Sequence, residues 1–140
     1  MIAVLDTTAF SAAMRREPGM LDFLRARRPG DLATVPPVVA EIEYGIQRLE
    51  PGSRRRVLLE TERDRLLGAV TVLPWTDESS RRFGSCKARL ERDGVPLDDF
   101  DIAIAAIALS HDAEVVTANL PHFSRVAGLA CRHWTGGGAG

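Results

Sequence analysis

A chain of 140 residues, 45% hydrophobic and 26% charged, is long enough to bury one core and too short for two, and this balance excludes a disordered tail or a fibre. The formal net charge of -1 gives no overall attraction for a polyanion, so nucleic-acid binding has to come from local arginine clusters. Candidates are Arg15 and Arg16, Arg25 with Arg27 and Arg28, Arg54 to Arg56, and Arg81 with Arg82, each with a solvated helix face as its ordinary alternative.

The apolar run at the N-terminus ends after five residues at Asp6, which excludes a signal peptide or a membrane span and leaves the cytoplasm as the default location. Ile2 to Leu5 have no polar face, as expected of a parallel strand covered on both sides. Thr7 or Thr8 can cap a helix to about Arg16, and Pro18-Gly19 separates it from a second amphipathic stretch, Met20 to Arg27. Leu32 to Val35 read as a second strand, and Pro36-Pro37 then open a helix to about Leu49, with Tyr44 on its core side. Ser53 caps a longer helix carrying Val57, Leu58, Glu62, Leu66 and Leu67, and Val70 to Leu73 form a third strand.

Thr76 or Asp77 starts a helix that keeps Phe83, Cys86 and Leu90 on one face and stops at Gly94. Asp98 or Asp99 precedes an Ala-rich helix over Ile102 to Leu109 whose nearly continuous apolar pattern places it at the centre. Glu114 to Thr117 supply a fourth strand and Leu129 to Trp134 an edge strand. One domain over residues 1–134 with a flexible tail over 135–140 follows, since the chain closes on Gly-Gly-Gly-Ala-Gly. Strands alternating with helices of this length predict an α/β sandwich around a mainly parallel sheet of four to five strands. The two cysteines, Cys86 and Cys131, lack the paired spacing of a zinc or redox motif and read as small buried thiols.

Ligands in such sheets bind beyond the carboxyl ends of the strands. Asp6 closes the first strand, Glu41 lies in the helix after the second, Asp101 opens the Ala-rich helix, and Asn119 follows the fourth strand. Three carboxylates converging there repel one another unless a cation lies between them, and oxygen donors of this kind suit Mg²⁺, with Mn²⁺ as a substitute, while no His/Cys set is available for zinc. Phosphodiester hydrolysis is the natural reaction for such an ion. Asp6 and Asp101 are the direct ligands in this reading, Glu41 is a ligand or a water-orienting base, and Asn119 is a neutral hydrogen-bonding group; Thr7 and Thr117 could orient the outer shell. Each has a plain structural alternative: a helix cap for Asp6, a surface position for Glu41, a first-turn acid for Asp101, a turn for Asn119.

Four segments carry a resemblance. Met-Ile-Ala-Val-Leu-Asp6-Thr-Thr, Val39-Ala-Glu41-Ile-Glu-Tyr44-Gly45-Ile46, Asp101-Ile-Ala-Ile104-Ala105-Ala106-Ile-Ala108 and Val115-Val-Thr117-Ala-Asn119-Leu-Pro-His-Phe123 resemble, in order, the four motifs of the PIN-domain family. The match covers roughly residues 1–134, and the stand-alone chain with its Glu-Ile-x-Tyr-Gly-Ile form looks like a VapC toxin of a toxin–antitoxin pair. The resemblance implies a three-layer α/β/α sandwich and a metal-dependent ribonuclease with Asp6, Glu41 and Asp101 as its acidic site. It also implies a homodimer, a VapB-type antitoxin, and structured RNA such as tRNA or rRNA as substrate. Asn119 departs from relatives that place an aspartate there, which puts a second metal in doubt. Asp99, with Asp98, is an additional acid that could serve the outer shell, helix capping being its alternative.

Two other readings stay open. A PIN fold without turnover would bind RNA or a protein partner, and the neutral Asn119 is its support. A receiver-like phosphoacceptor would need a lysine on a late strand, whereas the sole lysine, Lys87, falls inside a predicted helix. No histidine is assigned to catalysis: His111 reads as a cation at a helix C-terminus, and Trp75 and Trp134 read as packing residues.

Overall fold

The computed structural model describes residues 1–136; part of the tail expected over 135–140 lies outside the described residues. Five parallel strands, β1 (Ala3–Leu5), β2 (Leu32–Thr34), β3 (Thr71–Val72), β4 (Glu114–Val116) and β5 (Cys131–Arg132), form one sheet in the order β3-β2-β1-β4-β5. Seven α-helices connect them: α1 (Thr7–Met14), α2 (Pro18–Arg25), α3 (Pro36–Gln47), α4 (Arg54–Leu67), α5 (Asp77–Arg92), α6 (Asp99–Ser110) and α7 (Leu120–Phe123).

All three residues of β1 and all three of β2 are buried. Successive side chains on a strand point to opposite faces, so both faces of the central sheet are covered, and the unbroken apolar pattern of these strands follows from that. Helix α6 is buried at every position from Ile102 to Ala108, the helical counterpart of the same condition. Its alanines permit close approach to β4, against which it packs.

Local signals set most boundaries, with some differences. The cap of α1 is Asp6, whose Oδ1 accepts the Ala9 N–H at 2.9 Å, and not Thr7 or Thr8. Helix α1 stops at Met14 because Arg16 takes a left-handed φ of 54°. Such a conformation is costly for a side-chain-bearing residue, and the Arg16 guanidinium compensates by binding the buried Glu62 carboxylate at 2.9 Å. Helix α2 begins at Pro18, using proline at the first position, and not at Met20. Ser53 and Thr76 cap α4 and α5 as read, the latter in a reciprocal capping box with Ser79.

The third strand contracts to two exposed residues at the sheet edge. Tyr44, read as core, is 71% exposed, because α3 turns Val38, Ile42 and Ile46 inward and Tyr44 falls on the opposite side. Val57 and Leu58 are likewise exposed, and α4 buries Glu62 and Leu66. Of the cysteines, Cys131 is buried and Cys86 half-buried. Trp75 is 43% exposed and tilts against Phe83, with its indole N–H donated to Ser80.

Glu62 gives the first prediction. Hydrogen bonds from Arg16, then from Arg65, hold its carboxyl below the ordinary glutamate value of 4.5. A depressed folded-state pKa adds stability that is complete above 4.5 and is lost as pH falls through the folded value. Acid titration of the urea midpoint is therefore expected to show a loss below about pH 4.5 that flattens in Glu62→Gln.

Candidate metal and nuclease site

The sheet order turns over between β1 and β4: β2 and β3 lie on one side of β1, and β4 and β5 on the other. Crossovers leaving in opposite directions open a crevice at the carboxyl ends of these two strands. Asp6 follows β1, and Thr117 follows β4, held in register by the Asp6 N–H bonded to Val116 O at 3.1 Å.

Asp6 is 2% exposed and fixed by three donors. Its Oδ1 accepts from the Thr8 hydroxyl at 2.6 Å and the Ala9 N–H, and its Oδ2 accepts from the Thr117 hydroxyl at 2.6 Å. Burial nevertheless pushes its carboxyl above the ordinary value of 3.8; the hydrogen bonds oppose this, and the charge of Asp101 adds to it. Asp101, in the first turn of α6, is raised in the same direction, chiefly by burial, with His122 opposing and Asp98 contributing. Glu41 comes from α3 and accepts the Thr7 hydroxyl on Oε1 at 2.6 Å, so the residue after Asp6 ties the third acid to the same edge.

Asn119 takes the N-cap position of α7 without a side-chain capping bond, and its backbone N–H donates to Thr117 Oγ1 at 2.8 Å. Asp98 is the cap of α6, and Asp99 accepts from Lys87 of α5 at 2.9 Å. Two contributors escaped the sequence reading. Thr8 joins Asp6 to the loop after β4 by accepting the Ala118 N–H at 2.8 Å. His122 places Nδ1 3.4 Å from Asp101 Oδ2, and its signal was the one histidine inside the fourth segment, Val115 to Phe123.

Among the described residues, no three His, Cys, Asp or Glu side chains are drawn close enough to close around a cation. The residues fit a hydrated hard ion instead: two carboxylates raised chiefly by burial, Asp6 further by the charge of Asp101, with water to complete the shell. A groove of about 230 Å³ runs from Thr7 and Glu41 between α1, α3 and α4, with Ile42 on its floor and Arg48 and Arg55 on its rim. A larger hollow, about 810 Å³, lies away from these acids and is lined by Phe23, Arg27, Arg132 and Trp134.

A parallel α/β sandwich with paired carboxylates at its switch point is the architecture of a metal-dependent nuclease. The PIN domain model matches residues 3–129. Ribonuclease VapC2 of Haemophilus influenzae is 30% identical over 131 residues, 94% of this chain and 96% of that protein. A tRNA(fMet)-specific endonuclease VapC of Shigella flexneri is 25% identical over 132 residues, 94% and 97% of the two chains. The crystal structure of VapBC2 from Rickettsia felis, bound to a DNA fragment from their promoter, superposes with a TM-score of 0.84 at 22% identity, covering 96% of this chain and 99% of that one. The chain therefore belongs to the PIN-domain family, among the VapC ribonucleases.

Proposed function

We propose that the chain is the toxin of a toxin–antitoxin pair: an endoribonuclease that hydrolyses structured RNA of the tRNA or rRNA class with Mg²⁺, or Mn²⁺ as a substitute, and is neutralised by a VapB-type antitoxin. The observation that carries this reading is the fixed, buried Asp6 beside Asp101 at the β1–β4 crevice. Asp6 and Asp101 hold the ion directly, and Glu41, kept in place by Thr7, completes the set or orients the attacking water. When bound, the ion polarises the scissile phosphate and lowers the pKa of attached water. Thr117 orients Asp6 by donating to its Oδ2 and opposes the rise that burial imposes on that carboxyl, and Asn119 would supply a neutral amide to the site. One ion per site is the working number. The protein works in the cytoplasm as a homodimer, and light scattering at micromolar concentration is expected to give twice the chain mass.

The test is cleavage of total bacterial RNA with Mg²⁺ and with EDTA. Discrete fragments that vanish in EDTA support the reading; RNA bound without cleavage at any Mg²⁺ or Mn²⁺ concentration would sink it in favour of a binding module.

Ion binding has a second readout. Because Asp6 and Asp101 are raised above 3.8, their charged forms cost stability at neutral pH without a cation. A ligand that binds only the folded state stabilises it by mass action. Mg²⁺ is thus expected to raise the melting temperature of wild type at pH 7, and to do so far less for Asp6→Asn, by calorimetry.

Substrate approach is supported by the groove. Arg48 and Arg55 have no ion pair recorded among the described residues, unlike Arg63 or Arg65, and they flank the channel that ends at Glu41. In Arg48→Ala/Arg55→Ala, RNA affinity is expected to fall about tenfold in EDTA, and the slope of log affinity against log salt to decrease by about 1.4. Equal slopes for variant and wild type would remove these arginines from the substrate path.

A further inference from the structure

His122 stands at the site, and the acids leave it without a task. Its helix, α7, is fastened through the Asn119 N–H to the Thr117 hydroxyl, the group that also donates to Asp6. The imidazole is therefore carried on the same anchor as the first carboxylate. Its Nδ1 lies 3.4 Å from Asp101 Oδ2, longer than the 2.7–2.9 Å of a charge-assisted hydrogen bond. Two donors that share one cation at about 2.1 Å, at angles between octahedral and tetrahedral, lie about 3.0–3.4 Å apart. The imidazole and the carboxylate are thus spaced as two ligands of a single first-row ion. His122 is 47% exposed at the side chain, which leaves room for water around such an ion, and Nε2 has no partner recorded among the described residues.

The geometry points to His122 as a nitrogen donor to the divalent ion held by Asp101, giving this site a mixed oxygen–nitrogen ligand set. The inference rests on the reading that Asp6 and Asp101 hold a divalent cation. Magnesium prefers oxygen donors and gives up water reluctantly, whereas imidazole suits first-row transition ions. The site therefore binds Mn²⁺ more tightly than Mg²⁺, and the difference resides in one side chain.

The experiment uses Mn²⁺ alone, without RNA, on the full chain. Pulsed EPR of the Mn²⁺ complex reads nitrogen coupling directly, and calorimetry gives Mn²⁺ and Mg²⁺ affinities for wild type, His122→Ala and His122→Asp, with melting curves showing that each variant folds. Wild type is expected to show nitrogen coupling. His122→Ala is expected to lose it and to bind Mn²⁺ about tenfold more weakly, while His122→Asp shifts the Mn²⁺-to-Mg²⁺ preference about tenfold toward Mg²⁺. Mn²⁺ bound without nitrogen coupling, or coupling that persists in His122→Ala, overturns the inference and leaves His122 a charge partner of Asp101. The nuclease reading survives that result if RNA is still cut with Mg²⁺, whereas failure of wild type to bind either ion overturns both.

Discussion

Asp6→Asn and Asp101→Asn are each expected to lower RNA cleavage by about 10³-fold or more, because removing a direct carboxylate ligand forfeits several kcal/mol of charge stabilisation at the phosphate. The fold should survive at position 6. The amide oxygen of Asn can keep the bonds from Thr8 and Ala9, and the new N–H₂ faces Thr117 Oγ1, an oxygen with a second lone pair beyond the one that takes the Asn119 N–H. The cost of that rearrangement is about 1 kcal/mol. Loss of the repulsion between Asp6 and Asp101 offsets part of it. Initial rates on a fragment-resolved RNA substrate, beside circular dichroism of the same preparations, check the expectation. Wild-type rates in either variant would remove these carboxylates from the chemistry.

Phe123→Ala is expected to destabilise the protein by about 3–5 kcal/mol, with a fall in melting temperature of about 10–17 °C. Phe123 is 0% exposed in the main core cluster, so truncation leaves a cavity that the surrounding strands and helices cannot fully close. It also sits directly after His122, on the short helix that Asn119 precedes as N-cap, so the damage extends to the site. Urea denaturation should show a lower midpoint at unchanged slope, and Phe123→Leu should recover most of the loss. A Phe123→Ala midpoint within about 0.5 kcal/mol of wild type would show that α7 is not held by this side chain.

The existence and type of nearly every element could be read along the chain. Proline at the start of α2 and α3, Ser53 and Thr76 as caps, and the continuous apolar stretch of α6 are all local signals, carried by residues within a turn of one another. The places of two of the acids were legible too, Asp6 at a strand end and Asp101 at a helix start. Where periodicity was diluted, the reading was poorer. Helix α4 mixes apolar and charged residues without a clean stripe, so exposed Val57 and Leu58 looked equivalent to buried Leu66.

The alternation of strands and helices and the central position of α6 were thus written along the chain, as were the four segments that hold the candidate site residues. Tertiary structure alone decided the rest. It set β4 beside β1, so that Thr117 meets Asp6 across 111 positions of chain; it brought His122 to Asp101, gave Asp99 to Lys87, and turned Tyr44 outward. The physical reason is one of range. Propensity, capping and periodicity are written into neighbouring residues, whereas strand order and the meeting of distant side chains depend on how all the apolar faces are buried at once.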